Sequence, residues 1–272
     1  MNIVRTLQHV FLVSGILLWT YASAQPKDNE ECRKLYNAEL FNEAYACYSA
    51  DDSELFSVYM SAYLARFLEK KKEYRFWSKK LRKNFDSPWK YYYCANLHPV
   101  NSKKFVKYLN KGLKEYENDT LLLMEKVNYF IEIEEYEEGI PLIEKLIGLK
   151  KDDIELYLTA GDIYKWISKY QKAIPYYEKV LDIDYKNHEA NYNIGMIYYG
   201  QATDLLQRTS SDKPEDELER MRKEALSLLK KALPYLEYAF EGEPENANLK
   251  SALLTCYLHL DMEQEYNTLK NS

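Results

Sequence analysis

The chain has 272 residues and a formal net charge of −6 at pH 7, and 46% of its residues are hydrophobic while 29% are charged. This composition excludes a disordered chain and supplies enough apolar surface for a packed core. Since the chain has only 8 glycines and 8 prolines against 27 tyrosines, turns are few and large amphipathic side chains are many. That balance favours helices packed on helices.

The first predicted element is an export signal over residues 1–24. Arg5 supplies a positive charge, residues 10–21 form an apolar run, and residues 22–24 read Ala-Ser-Ala, the small-residue pattern of a cleavage site. The run is shorter than the roughly 20 residues that span a bilayer. We therefore expect cleavage after Ala24 and an exported chain, periplasmic or secreted, with no transmembrane segment after cleavage. A retained N-terminal anchor is the alternative.

Four cysteines follow the predicted signal. An exported protein folds in an oxidising compartment, where disulfides persist. Cys32 and Cys47 fall on two successive predicted helices, so a disulfide between them is one interpretation and two buried thiols are the other. Cys94 and Cys256 are predicted to be buried small apolar residues. The cysteines include no CxxC pair and no metal-ligand spacing, and we predict no metal and no cofactor.

The charges are distributed unevenly along the chain. Residues 66–114 include 15 basic and 3 acidic residues, whereas residues 115–272 include 18 basic and 32 acidic residues. Lys79, Lys80, Arg82 and Lys83 form the densest basic patch, next to aromatic residues. Solvated helix faces are one interpretation, and an anionic glycan or lipid headgroup as ligand is the other. Nucleic acid would also suit this pattern, but the export signal argues against it.

A repeat becomes visible from residue 120 onward. The segment KAIPYYEKVLDID at 172–184 echoes EGIPLIEKLIGLK at 138–150, and the step from Gly139 to Ala173 is one period of this repeat. Ala232 in a third copy follows Ala173 after one further period and an inserted segment. The same period separates Gly161 from Gly195 in another predicted helix. Two amphipathic helices in a fixed period indicate a repeat array.

These repeats resemble the tetratricopeptide repeat (TPR) family, whose unit of about 34 residues has large and small side chains at fixed places. The unit 154–187 matches with Tyr157, Gly161, Tyr164, Ala173 and Tyr177. The resemblance implies an all-α fold, an α-solenoid of about seven antiparallel helix pairs in a TPR superhelix. We predict divergent TPR-like pairs over 25–119 and a TPR array over 120–272. The units also look like those of exported repeat proteins of Bacteroides-type bacteria.

The insertion predicts a helical-hairpin extension at about 201–231, interrupted once at 210–214. Apolar residues recur at helical spacing on both arms of this hairpin. They are Ala202, Leu205 and Leu206 on the first arm, and Leu218, Met221, Ala225, Leu228, Leu229 and Ala232 on the second. A spur that packs on itself is one interpretation, and a handle for a specific partner is the other.

The resemblance also implies a binding site, because in this family the first helices of the units line a concave groove that holds a peptide or another protein. The residues of this chain at the groove positions are Met124, Asn128, Leu158, Asp162, Lys165, Trp166, Tyr192, Asn193, Met196 and Tyr199. For Trp166 and Tyr199, packing between repeats is the alternative role.

Catalytic motifs are missing from the sequence. His98, His188 and His259 are far apart and have no nucleophile motif beside them, and the chain has neither a phosphate loop nor a dinucleotide-binding turn. We therefore predict no enzyme, but an interaction scaffold or adaptor of the cell envelope that binds a protein or peptide in the groove. The alternative function is binding of an anionic glycan or lipid headgroup through residues 66–114.

Overall fold

The computed structural model describes residues 29–209 and 214–271, and all regular elements in these ranges are α-helices. The predicted signal and residues 210–213 lie outside the described residues. No described helix combines the length and the apolarity that crossing a bilayer requires. The fourteen helices of the described ranges are α1 Glu30–Asn37, α2 Phe41–Ala50, α3 Leu55–Phe67, α4 Lys71–Asn84, α5 Pro88–Asn96, α6 Lys103–Glu115, α7 Thr120–Glu132, α8 Tyr136–Leu149, α9 Ile154–Trp166, α10 Tyr170–Ile183, α11 His188–Arg208, α12 Glu215–Gly242, α13 Ala247–His259 and α14 Glu263–Asn271.

Consecutive helices pack against each other as seven antiparallel pairs in the described part of the chain, from α1 with α2 to α13 with α14. Five of these pairs are joined by only three residues. So short a connection forces the second helix to reverse direction and lie along the first. The predicted all-α fold of about seven antiparallel helix pairs is therefore confirmed.

The five short connections share one backbone conformation. Their middle residues have left-handed φ angles of 57–61°, and they are Glu39, Glu69, Glu134, Ser168 and Asp261. In the turn between α9 and α10 the amide of Lys169 donates to the carbonyl of Tyr164 at 2.8 Å. This bond across five residues is the mark of a Schellman motif, which satisfies carbonyls at the end of the first helix. Each turn thus ends one helix and redirects the chain into the next.

The contacts divide the chain into two compact units, with the boundary between Leu149 and Lys150. Unit 1 contains α1 to α8, and unit 2 contains α9 to α14. The sequence boundary at residue 119 is drawn where the repeat pattern becomes strong, whereas the boundary at residue 149 is drawn from contacts. The contacts therefore do not test the sequence boundary, which stays a prediction. Unit 1 has a core rich in tyrosine, whereas the core of unit 2 includes many alanines and leucines.

The small residues of the repeat lie where helices come closest. A Cβ atom added to Gly161 would lie 2.5 Å from Cε1 of Tyr177 on α10, and one added to Gly195 would lie 2.8 Å from Cδ2 of Leu236 on α12. Ala173 is fully buried. The fixed period of the sequence therefore marks positions at which a larger side chain would separate two helices.

The early pairs keep the architecture but not the register. Glu134 is the left-handed residue in the turn of the fourth pair. Two repeat periods of about 34 residues before it, the turn of the second pair is expected at Arg66. The left-handed residue of that turn is instead Glu69, three positions later. In the third pair Phe105 stands where the repeat has alanine; it is 1% exposed and stacks on Tyr129 with ring centroids 6.1 Å apart. At this position a large side chain thus takes the place of a small one. A close contact persists elsewhere in the same helix, because a Cβ added to Gly112 would lie 2.7 Å from Cβ of Tyr91 on α5.

The insertion lengthens both helices of the sixth pair. Helix α11 has 21 residues and α12 has 28, compared with 13 and 14 for α9 and α10. At 1.5 Å per residue, the longer lengths extend the two arms by roughly 12 and 21 Å. Ala202, Ala225 and Leu229 on these arms have no exposed surface. Leu205, Leu206, Met221 and Leu228 keep part of their surface exposed. The extension therefore covers its apolar stripes in part by packing on itself.

A disulfide closes the first helix pair. The sulfur atoms of Cys32 on α1 and Cys47 on α2 are bonded, and their Cα atoms are 5.4 Å apart. This finding confirms the first of the two interpretations given for these cysteines. Cys94 and Cys256 are free thiols and buried, as predicted.

Candidate partner-binding site

The ten predicted groove residues fall into two groups. Met124 and Asn128 lie on α7 in unit 1, and the other eight lie on α9 and α11 in unit 2. Met124 and Leu158 are only 6% and 5% exposed. Both side chains are buried, and neither lines the cavity described below.

Asp162 is the centre of a polar network in unit 2. One of its carboxylate oxygens, Oδ1, accepts hydrogen bonds from Lys165 Nζ at 2.8 Å and from the hydroxyl of Tyr177 at 2.7 Å. Lys165 Nζ also donates to Asn193 Oδ1 at 2.8 Å. Burial and the adjacent Asp162 carboxylate raise the pKa of Tyr177, so this phenol stays protonated and keeps its role as donor. The network connects α9, α10 and α11.

An open cavity of about 480 Å³ lies beside this network. Four of the predicted residues line it: Lys165, Tyr192, Asn193 and Met196. The sequence analysis did not predict the other lining residues, which are Tyr170, Ile197, Gly200, Gln201 and Asp204. Most of these continue the face of α11 that begins at Asn193, because residues three, four, seven and eight positions apart share one side of a helix. Extending the helical periodicity would have found them.

The cavity combines apolar walls with polar groups of both charges. Ile197 and Met196 supply apolar surface, the phenols of Tyr170 and Tyr192 are amphipathic, and Lys165 and Asp204 carry opposite charges. Apolar surface combined with polar groups at fixed places is typical of sites that fix the orientation of a ligand. This arrangement suits a short peptide segment with one apolar side chain and exposed backbone amides.

Trp166 and Tyr199 do not line the cavity. The Tyr199 hydroxyl lies 3.4 Å from Oγ1 of Thr255 on α13, and its ring packs against the core of unit 2. Tyr199 therefore packs between repeats, which the sequence analysis gave as the alternative to partner contact. Trp166 is 45% exposed at the C-terminal end of α9, where it stays a candidate for partner contact.

Unit 1 contains two features of its interior that the sequence analysis missed. An aromatic cluster on α3 and α5 includes Tyr59 stacked on Tyr93 with centroids 4.4 Å apart, and Trp89 lies 5.7 Å from Tyr93. Glu125 on α7 is half-buried, and burial raises its pKa to about 7, although a hydrogen bond with the predicted groove residue Asn128 opposes this rise. No local sequence signal distinguishes Glu125 from the many other acidic residues.

The predicted basic patch lies on α4. Lys79, Arg82 and Lys83 are exposed. Lys80 is different, because it forms a salt bridge with Asp52 and its ammonium group lies 5.8 Å from the ring of Trp77. The patch thus consists of three available cations rather than four.

The helix pairs, their shared turns and the small residues at their contacts define the class: this is an all-α protein built from TPR-type helix pairs. No protein-family model matches the chain, and no curated protein sequence does.

Solved structures similar to this chain include these three. The MamA protein is 15% identical over 62% of this chain and 78% of its own, with a TM-score of 0.44. YrrB, a TPR protein with an unusual peptide-binding site, is 18% identical over 58% and 86%, with a TM-score of 0.41. A TPR repeats protein from Bacteroides fragilis is 17% identical over 84% and 96%, with a TM-score of 0.37. Since these TM-scores are below 0.5, the class rests on the geometry of this chain.

Proposed function

We propose that this chain is a non-catalytic scaffold that binds a peptide segment of another protein in the cavity between α9 and α11. The observation that carries the proposal is the convergence of Lys165, Tyr192, Asn193 and Met196 on one open cavity of about 480 Å³. An extended peptide could place an apolar side chain against Met196 and bond its backbone to the phenol of Tyr192, while Asn193 and Asp162 hold Lys165 in place at the cavity. Binding of this kind needs no chemistry from the scaffold.

We place this scaffold in the cell envelope, as an exported protein of the type known from Bacteroides-type bacteria. The predicted signal over residues 1–24 supports this location. The disulfide between Cys32 and Cys47 supports it independently, because such bonds persist in oxidising compartments and are rare where thiols are kept reduced.

The binding proposal is tested by capture of partners from an envelope extract. The chain from Gln25 onward is used as bait and compared with a Tyr192→Ala, Met196→Ala variant. We expect a captured peptide-bearing protein to lose at least about tenfold in affinity for this variant, since about 1.4 kcal/mol of contact energy corresponds to that factor.

A Tyr185→Ala, Leu258→Ala variant is the matched control, because these side chains are 63% and 61% exposed and lie away from the cavity. Both variants are checked by circular dichroism. Equal capture by the cavity variant and the wild type would exclude the cavity as the binding site.

A further inference from the structure

Two helices of unit 1 present an exposed face that is almost entirely basic. The exposed cations are six on α4 and five on α6, eleven in all. They are Lys71, Lys72, Arg75, Lys79, Arg82 and Lys83 on α4, and Lys103, Lys104, Lys107, Lys111 and Lys114 on α6. We refer to these residues as the basic face. The exposed acidic residues of the same two helices are only Glu73 and Glu115.

The carboxylates of unit 1 do not neutralise the basic face. Asp52 pairs with Lys80 and Asp86 with Lys90, and neither of these lysines belongs to the basic face. Glu115 accepts a hydrogen bond from the hydroxyl of Tyr91 at 2.5 Å. Within the ranges that the structure describes, none of the eleven cations forms a salt bridge. Their charges are therefore available to an external anion.

The cations of α4 and α6 lie close enough to act on the same groups. Both helices pack on α5, which lies between them in the chain. Near the end of α5, His98 stacks on Tyr108 with centroids 5.8 Å apart. Burial lowers the pKa of His98, and the charges of Lys104, Arg66 and Arg82 lower it further. Arg82 of α4 and Lys104 of α6 therefore both lie near enough to His98 for their charges to act on it.

An aromatic ring lies among the cations of the basic face. Phe76 is 58% exposed and touches Trp77 edge-on with centroids 4.9 Å apart. Lys72 precedes it by four positions and Lys79 follows it by three, so both lie on the same side of α4 as Phe76. A large apolar ring between exposed cations resembles the interfacial helices that lie on membrane surfaces, where rings enter the acyl boundary and cations meet the headgroups.

We propose that the basic face docks onto the surface of an anionic lipid bilayer. The positive charge by itself would suit any polyanion. Phe76 favours a bilayer, because a phenyl ring gains free energy by entering the headgroup region but gains little from a hydrated polysaccharide. This inference goes beyond the proposed peptide binding, since it uses other residues in the other unit. Together the two sites would hold a peptide-binding protein at a membrane surface.

The test is co-sedimentation of the chain from Gln25 onward with phosphatidylcholine vesicles that contain or lack phosphatidylglycerol. We expect binding to the anionic vesicles only, and weaker binding at high salt because the contacts are exposed. The variant Lys79→Glu, Arg82→Glu, Lys83→Glu should lose at least about a hundredfold in affinity, since each basic residue contributes about fivefold and three are removed together. Phe76→Ala should weaken binding severalfold.

The matched control reverses three exposed cations of unit 2, in the variant Lys186→Glu, Lys230→Glu, Lys270→Glu. It has the same net charge as the first variant and should bind like the wild type. Equal losses in both variants would show a general charge effect and overturn the proposal. Unchanged binding of Phe76→Ala would also overturn it, because the ring is the feature that selects a bilayer.

Two further outcomes would identify other occupants in place of the bilayer. Binding to a soluble sulfated polysaccharide without binding to vesicles would indicate a glycan. Self-association in analytical ultracentrifugation that the unit 1 reversal abolishes, again without vesicle binding, would indicate the acidic residues of a second copy. Either result contradicts the proposal and leaves peptide capture in unit 2 unaffected.

Discussion

Glu125 shows how a single side chain changes its chemistry through burial. Its carboxyl group is half-buried on α7, where ionisation costs desolvation energy, and its pKa rises from 4.5 to about 7. Between these two pH values the folded chain keeps a proton that the unfolded chain releases. The folded state is therefore favoured below pH 4.5, and this advantage is lost as the pH rises to about 7.

Replacing Glu125 with glutamine should remove this pH dependence. One pKa unit corresponds to about 1.4 kcal/mol, so Glu125→Gln should raise the free energy of unfolding by up to about 3 kcal/mol near pH 8 and by less than about 1 kcal/mol near pH 5. Denaturant melts at both pH values measure the difference. Glu132→Gln on the exposed side of α7 is the control. The same gain at both pH values would contradict the burial argument.

Gly161 is a residue whose small size matters. An added Cβ would lie within 3 Å of the buried ring of Tyr177, whose hydroxyl is held by Asp162. Gly161→Ala should therefore destabilise unit 2 by about 1–3 kcal/mol. Gly200 in α11 has open space around it, so Gly200→Ala should stabilise by up to about 1 kcal/mol through helix propensity. Thermal melts of the two variants should shift in opposite directions.

At the scale of elements, five helix pairs are joined by turns whose middle residue has a left-handed φ angle but is not glycine. Ser168 has a φ of 58° between α9 and α10, which costs a residue with a Cβ about 1 kcal/mol relative to glycine. Ser168 is exposed, so its hydroxyl is not part of a buried contact. The turn is therefore held by its Schellman hydrogen bonds and by the packing of the two helices.

Ser168→Gly should raise the free energy of unfolding by about 0.5–1 kcal/mol. The same substitution at Ser227, exposed in the interior of α12, should lower it by about 0.5 kcal/mol because glycine is the poorer helix former. Denaturant melts of both variants check the opposite signs. A loss of stability for Ser168→Gly would mean that the serine hydroxyl contributes more than the backbone conformation costs.

For the whole molecule, the division into two units predicts local effects. In a repeat protein each pair gains stability from its neighbours, so a change at one end weakens nearby pairs first. The disulfide lies in the first pair of unit 1 and closes a loop over a sequence separation of 15 residues. The chain-entropy model gives about 3 kcal/mol for a loop of that size.

Reduction of the disulfide should therefore speed hydrogen exchange in α1 and α2 and leave α9 to α14 unchanged. Exchange measured by mass spectrometry with and without reductant resolves the helices. A Cys32→Ala, Cys47→Ala variant should behave like the reduced chain and should not respond to reductant. An equal loss of protection in unit 2 would show that the two units unfold together.

The sequence by itself determined the helices, their pairing and the positions of closest contact. These features are local, because a helix, a short turn and the next helix are encoded within about 34 residues. For the same reason the sequence suggested a bond between Cys32 and Cys47, which lie on successive helices, but two buried thiols were the alternative until the structure showed the bond. The register of the early pairs did not follow from the pattern, because Phe105 replaces a small residue and the periodic signal is weak there.

Only the tertiary structure decided which side chains meet across repeats and how deeply they are buried. Asp162 and Asn193 are 31 residues apart, yet both bind Lys165. The resemblance to the TPR family implied that Tyr199 lies in the partner-binding groove, but the structure packs it against α13. The raised pKa of Glu125 and the volume of the cavity likewise depend on distances between separate helices. Such distances follow from how complete side chains fill space between neighbouring pairs, which the pattern within one pair does not specify.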